Sequence, residues 1–202
     1  MAERHWLERL EATRPYQAAR SAMNRGLLNF FQRYVFAGRT GLLAAEMACG
    51  SGYASHLIAQ LPEVKLSLAA DLNLEDYRQA DVADFQASFA LMDLFAPALA
   101  PGSLDLVWNS SSVEELDQPL EAVQSMARLA RPGGWVFVGV PWDRGPAAWL
   151  GKVTGKRYRE WLGRQYSKDE LRALMEAAGL RVEREISYLL GTFIGALARR
   201  PD

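Results

Sequence analysis

Five short apolar runs limit what this chain can fold into more than any other feature: LLAAEM (42–47), VKLSLAA (64–70), SFALM (88–92), LDLVWN (104–109) and WVFVGV (135–140). Segments with helical periodicity separate them, and strands that are apolar throughout need cover on both faces. The pattern predicts βαβ units, hence an α/β fold with a mostly parallel sheet and helices on either side. Two further runs, LRVEREISYLL (180–190) and GTFIGALARR (191–200), read as closing strands, antiparallel to each other at the sheet edge, which brings the expected sheet to seven strands.

Helix signals fill the remainder. Trp6, Leu7 and Leu10, then Leu27, Leu28, Phe31 and Val35, recur at helical spacing, and Pro15 suits a first turn. Asn73 is expected to cap a helix from about Leu74 to Gln86, and RPGG (131–134) to end the helix before the fifth strand. Ser167 followed by Glu170 makes a capping box, and Gly179 closes that helix. One domain is expected over 1–202: a helical cap (1–40), a core (41–141), an aromatic insertion after strand five (142–166), and a closing helix with strands (167–202). The insertion holds Trp142, Trp149, Tyr158, Trp161 and Tyr166. Those rings suit either a lid over an acceptor or a small core under a long loop.

Composition narrows the function classes. One cysteine, Cys49, and two histidines, His5 and His56, leave too few ligands for a thiolate cluster or a multi-histidine centre, so no metal is expected. The same lone cysteine makes the cytoplasm the expected compartment. No basic segment followed by an apolar core stands at the start, and the longest mostly apolar stretch, Tyr188 to Ala198, has 11 residues, too short for a bilayer span. The net charge of −1 hides an uneven distribution: residues 41–141 carry 13 acids against 4 bases, while both flanks are basic. An acidic middle argues against nucleic acid at that part of the chain, because phosphate is repelled there.

The first apolar run leads into EMACGSG (46–52). Its Ala48-x-Gly50-x-Gly52 occupies the first strand-to-helix turn, where open α/β sheets bind ligands. Asp71 ends the second run, 19 residues beyond Gly52, where an acid can accept both hydroxyls of a ribose. A nicotinamide dinucleotide would call for a third small residue, where Ser55 stands, and would bring a pyrophosphate close to Glu46. S-adenosylmethionine (SAM) has no phosphate and a net positive charge, so the acidic surroundings suit it better.

Residues 42–140 resemble the core of a class I, Rossmann-like SAM-dependent methyltransferase, of the broad group that includes ubiquinone and menaquinone biosynthesis enzymes. EMACGSG resembles the family's acid-x-Gly-x-Gly-x-Gly motif. ALMDLFAPALAPGSLDLVWNSSSVEELDQP (90–119) resembles the stretch whose acid, here Asp93, meets the adenine amino group. RLARPGGWVFVGVP (128–141) resembles the helix, turn and fifth strand, and YSKDELRALMEAAGL (166–180) the penultimate helix. The resemblance implies a cofactor site of Glu46, Ala48, Gly50, Gly52, Asp71, Leu72, Asp93, Leu94 and Asn109, with SAM as methyl donor and S-adenosylhomocysteine (SAH) as product.

Family members often have Glu-His where this chain has Glu114-Glu115, which removes one candidate general base and leaves the catalytic residue unassigned. The fourth strand ends in WNSS, unlike the Asn-Pro-Pro-Tyr type motif of nucleic-acid amino methyltransferases. A small-molecule acceptor is therefore expected, reached between the N-terminal helices and the insertion. The alternative is a catalytically silent SAM-binding partner or scaffold, which Ala48 in place of a glycine and Glu115 in place of a histidine keep open.

Overall fold

A computed structural model describes residues 14–73, 84–146, 148–149 and 163–202. The elements are α1 (Arg14–Phe31) with a π-helical turn (Gln32–Phe36), β1 (Leu42–Met47), α2 (Tyr53–Ala59), β2 (Val64–Asp71), β3 (Ser88–Leu91), β4 (Leu104–Ser110), a 3-10 turn (Val113–Glu115), α3 (Pro119–Leu129), β5 (Ala130–Pro141), α4 (Lys168–Ala177), β6 (Arg181–Tyr188) and β7 (Phe193–Arg199). The strands form one sheet in the order β3-β2-β1-β4-β5-β7-β6. Neighbours from β3 to β5 pair in parallel, and β7 runs against both β5 and β6.

The two closing strands are antiparallel, as expected, but only β6 lies at the edge. β7 (FIGALAR) is buried almost throughout and has to sit inside the sheet, whereas β6 (RVEREISY) carries exposed charges that suit an edge. Two helix boundaries also differ from expectation. α3 ends at Leu129, so RPGG opens β5 rather than closing the helix, with Gly133 in the left-handed region (φ +66°). The helix expected over 74–86 lies outside the described residues except for 84–86, which form turn and coil. The Ser167–Glu170 capping box is present with both reciprocal hydrogen bonds.

Strand alternation divides the core into two faces. Val107, Val136, Val138, Ile194 and Ala196 point to an aliphatic side covered by α3 and α4 through Ala122, Val123, Met126, Leu171 and Met175. Leu106, Trp108, Trp135, Phe137 and Leu197 point to an aromatic side covered by α1 and α2. There Phe31 stands edge-on to Trp108 (5.5 Å between ring centres) and to Phe137 (5.1 Å). Such pairs add roughly 0.5–1.5 kcal/mol each beyond their area burial. Leu27, Phe31, Val35 and Phe36 are thus used by the core, while Trp6, Leu7 and Leu10 of the expected cap lie outside the described residues.

The aromatic side needs room, and two paired glycines provide it. Gly139 of β5 and Gly195 of β7 lie directly opposite each other. A Cβ at Gly195 would collide with the Phe137 ring, and one at Gly139 with the Tyr188 hydroxyl. Gly195→Ala is therefore expected to destabilise the protein by roughly 1–3 kcal/mol, since an extra carbon must displace a ring packed on all sides. The urea midpoint measures this, and an unchanged midpoint would contradict the packing.

Candidate functional site

Strand order reverses between β1 and β4, and their carboxyl ends open the crevice in which α/β sheets bind ligands. The loop after β1 turns through three left-handed residues, Ala48 (φ +54°), Gly50 (φ +54°) and Gly52 (φ +66°). Glycine adopts that region without penalty, whereas alanine is strained there by about 1 kcal/mol or more. Ala48 thus holds the conformation a glycine would. Gly52 is also required by packing, because a Cβ there would press on Phe85 and Ala69 at 3.0 and 3.1 Å.

Two acids fix this loop. The Asp71 carboxylate accepts the Gly50 amide through Oδ2 (2.7 Å) and the Asn73 amide through Oδ1 (2.8 Å), tying the end of β2 to the glycine turn. Each oxygen keeps a second lone pair for a further donor. Glu46 is only 7 % exposed and accepts both the backbone amide (3.1 Å) and the hydroxyl (2.6 Å) of Ser55 through Oε2. Its carboxylate therefore serves the amino-terminal turn of α2, where unpaired amides and the helix dipole favour negative charge.

Asp93, after β3, accepts the amide of Phe95 (2.8 Å) and so closes its own loop; beside it Leu94 is buried. Leu72 is 66 % exposed next to Asp71. Asn109 is fully buried: its Nδ2 donates to the Met47 carbonyl (2.6 Å) and its Oδ1 accepts from the Val113 amide (3.3 Å), which clamps β1 to the loop after β4. Ser112 Oγ donates to the Ala48 carbonyl (3.2 Å), so the loop after β4 also touches the glycine turn. No lysine or arginine occurs in segments 46–53, 71–73, 91–97 or 109–117. These loop segments can neutralise a cation and would repel a phosphate.

One residue passed over as a chemical group in the sequence stands out here. Glu114 is 6 % exposed; Ser111 Oγ donates to its Oε1 (3.0 Å) and Oε2 has no hydrogen-bond partner. Burial pushes its carboxyl from 4.5 up to about 8, against the opposing pull of hydrogen bonds from its own backbone and Ser111. The signal available in the sequence was an acid in the loop after β4, but an acid in a loop is usually solvated, and only the fold shows that Glu114 is buried and Glu115 exposed. His56 and Cys49 take packed roles. His56 stacks on Phe85 and accepts the Gln86 amide (3.0 Å), and Cys49 is buried within the loop. Of the insertion's aromatics, Trp142 pairs with Tyr166, Trp149 is exposed, and Tyr158 and Trp161 lie outside the described residues. Two open depressions of about 470 and 400 Å³ lie at the opposite end of the strands, around Arg200 and Asp202, away from these groups.

Comparison with known proteins points to methyltransferases. Residues 45–138 match the methyltransferase domain family. A ubiquinone biosynthesis O-methyltransferase from Cupriavidus pinatubonensis is 34% identical over 127 residues, covering 60% of this chain and 50% of that protein. A probable S-adenosylmethionine-dependent methyltransferase from Mycolicibacterium smegmatis is 31% identical over 161 residues, covering 75% of this chain and 55% of that protein. The chain thus spans about half the length of the curated relatives it matches. Among solved structures, magnesium protoporphyrin IX methyltransferase from Synechocystis, with SAH bound, has a TM-score of 0.72 at 18% identity, covering 94% of this chain and 88% of that one.

Two measurements check the site's energetics. Ala48→Gly relieves left-handed strain at the cost of chain entropy, so stability is expected to be unchanged or to rise by up to about 1 kcal/mol; a clear loss in urea denaturation would contradict the backbone geometry. The folded-state pKa of Glu114 is raised, so the folded form holds its proton more tightly, and stability is lost as pH climbs from 4.5 through about 8. Wild-type stability is expected to fall over that range, by on the order of a few kcal/mol at most, relative to Glu114→Gln. Parallel denaturation curves across pH would show that Glu114 is not buried as described.

Proposed function

From the family to which this chain belongs, the class I SAM-dependent methyltransferases, we propose that it transfers a methyl group from SAM to a small-molecule acceptor by in-line displacement. The observation that carries this reading is the Asp71–Gly50 hydrogen bond, between two loop segments without lysine or arginine. It holds a carboxylate rigidly beside the glycine turn with a lone pair left on each oxygen for the two ribose hydroxyls. Leu72 and Leu94 supply apolar surface for the adenine and Asp93 an acceptor for its amino group. Ala48, Gly50 and Gly52 let the backbone approach the methionine portion, with Asn109 setting the spacing of the strand ends. Glu46 acts on the ammonium group through the α2 terminus it caps, or through water.

The donor supplies a methyl carbon already activated by the sulfonium. What the chain adds is position and exclusion of water. O-methylation of a phenolic or quinol acceptor is the finer reading, supported by the ubiquinone-pathway relatives. The left-handed Ala48 counts against a silent scaffold, because the glycine turn keeps its form without the glycine. We propose the cytoplasm as its compartment because the sequence holds a single cysteine, too few for an internal disulfide; no helix of the described residues is long and apolar enough to cross a membrane.

Calorimetry with SAH is expected to give a micromolar dissociation constant, weakened about 10- to 100-fold or more in Asp71→Ala, as the loss of charge-assisted hydrogen bonds implies. Absence of binding to the wild type would sink the proposal. A thermal shift with NADH but none with SAH would instead favour a nicotinamide enzyme. Transfer of labelled methyl to a component of a metabolite extract would exclude the scaffold alternative.

A further inference from the structure

Resting on the methyltransferase reading above, we infer that Glu114 is the general base of the reaction and takes the proton of an acceptor hydroxyl held between its Oε2 and the hydroxyl of Tyr166. Both groups are built into the fold and neither is satisfied by it. Glu114 is 6 % and Tyr166 2 % exposed, and Glu114 Oε2 and Tyr166 Oη lack hydrogen-bond partners. Buried polar atoms without partners are costly, and these two groups are close enough for Glu114 to act electrostatically on Tyr166.

Their placement fits an acceptor site. Glu114 sits two residues after Ser112, whose hydroxyl meets the glycine turn at Ala48, and five after Asn109, which clamps β4 to β1. Tyr166 comes from the other side. Its carbonyl receives the Asp143 amide (3.0 Å), its amide meets the Pro141 carbonyl (3.0 Å), and the Arg164 amide donates to the Glu114 carbonyl (3.3 Å). The pair therefore lies at the carboxyl ends of β4 and β5, the end that carries the cofactor loop. The expected histidine position is taken by Glu115, which is exposed.

The step balances without a further reactant. The acceptor O–H bond breaks and its proton goes to Glu114 Oε2. The oxygen forms the new bond to the methyl carbon, the carbon–sulfur bond breaks, and its electron pair stays on sulfur in SAH. A carboxyl with a pKa near 8 matches a phenol, at about 10, far better than an ordinary carboxylate does. The groups around it are Glu115 on its own turn, Tyr166 and Arg164 on the facing segment, and Tyr188 on β6. Glu170 of α4 acts on Tyr166, and burial raises both tyrosines above their ordinary range. Of Glu114 and the two tyrosines, Glu114 is thus the group that ionises first as pH rises.

The test uses the full chain, labelled SAM, and catechol, 3,4-dihydroxybenzoate and 4-hydroxybenzoate as probes, with benzylamine and benzoate as acceptors that need little or no base. SAH calorimetry comes first, because its failure would sink the methyltransferase reading itself. Once SAH binding is established, methyl transfer from SAM to a phenolic probe is expected, with a rate that climbs as pH passes about 8. Glu114→Gln should lower kcat by about 10²- to 10⁴-fold, leave SAH affinity unchanged and remove the ascending limb. Should that variant lose SAH binding, Glu114→Asp carries the test, with partial activity and a displaced limb. Transfer to no phenolic probe, or an unchanged kcat and pH profile in the variant that binds SAH, overturns the inference.

Discussion

The clamp made by Asn109 is the contact on which the rest of the site depends. At the point where strand order reverses, no backbone pairing continues past the strand ends, and a gap between β1 and β4 is what a ligand needs. A buried side-chain amide that donates to Met47 and accepts from Val113 sets the width of that gap. An unsatisfied amide here would be costly, so the clamp is either fully made or broken. On one side of it lie the glycine turn, Glu46 and Asp71; on the other lie Ser112 and Glu114.

Electrostatics then divides the acids by task. Asp71 and Asp93 hold loop amides at the crevice mouth. Glu46 is deeper and spends its charge on a helix terminus. Glu114 has a single hydroxyl donor and little solvent, and burial overrides hydrogen bonding in its case. Four carboxyl groups of identical chemistry thus acquire different roles from the number of donors each one meets.

Most of the architecture was legible in the chain. Five apolar runs, the glycine turn and the capping box at Ser167 correspond to observed strands, turn and helix. The insertion of β7 between β5 and β6 was not, because it depends on comparing the burial of two strands that look equally plausible at an edge. RPGG misled for a related reason: a Pro-Gly-Gly run marks a change of direction without saying which element owns it. The candidate cofactor residues could be named from spacing alone, yet what each one touches could not. Glu46 faces a helix and Asp71 a loop amide, and both facts require the three-dimensional neighbours Ser55 and Gly50. Glu114 was visible only as half of a Glu-Glu pair, since exposure separates its two members and sequence does not.

The facing glycines of β5 and β7 have one more consequence. Both strands are apolar on both faces, so hydrophobic alternation says little about how far one should be shifted along the other. A notch that accepts the Phe137 ring at one position supplies what the pattern lacks. A slip by one residue would bring Ile194 or Ala196 under that ring in place of Gly195, and would carry the end of β6, with Tyr188 and its hydrogen bond to Ser110 (2.9 Å), out of alignment with the crevice. Two missing side chains thus act as a pawl that locks the reversed strand β7 in register and keeps the far edge of the sheet aligned with the site.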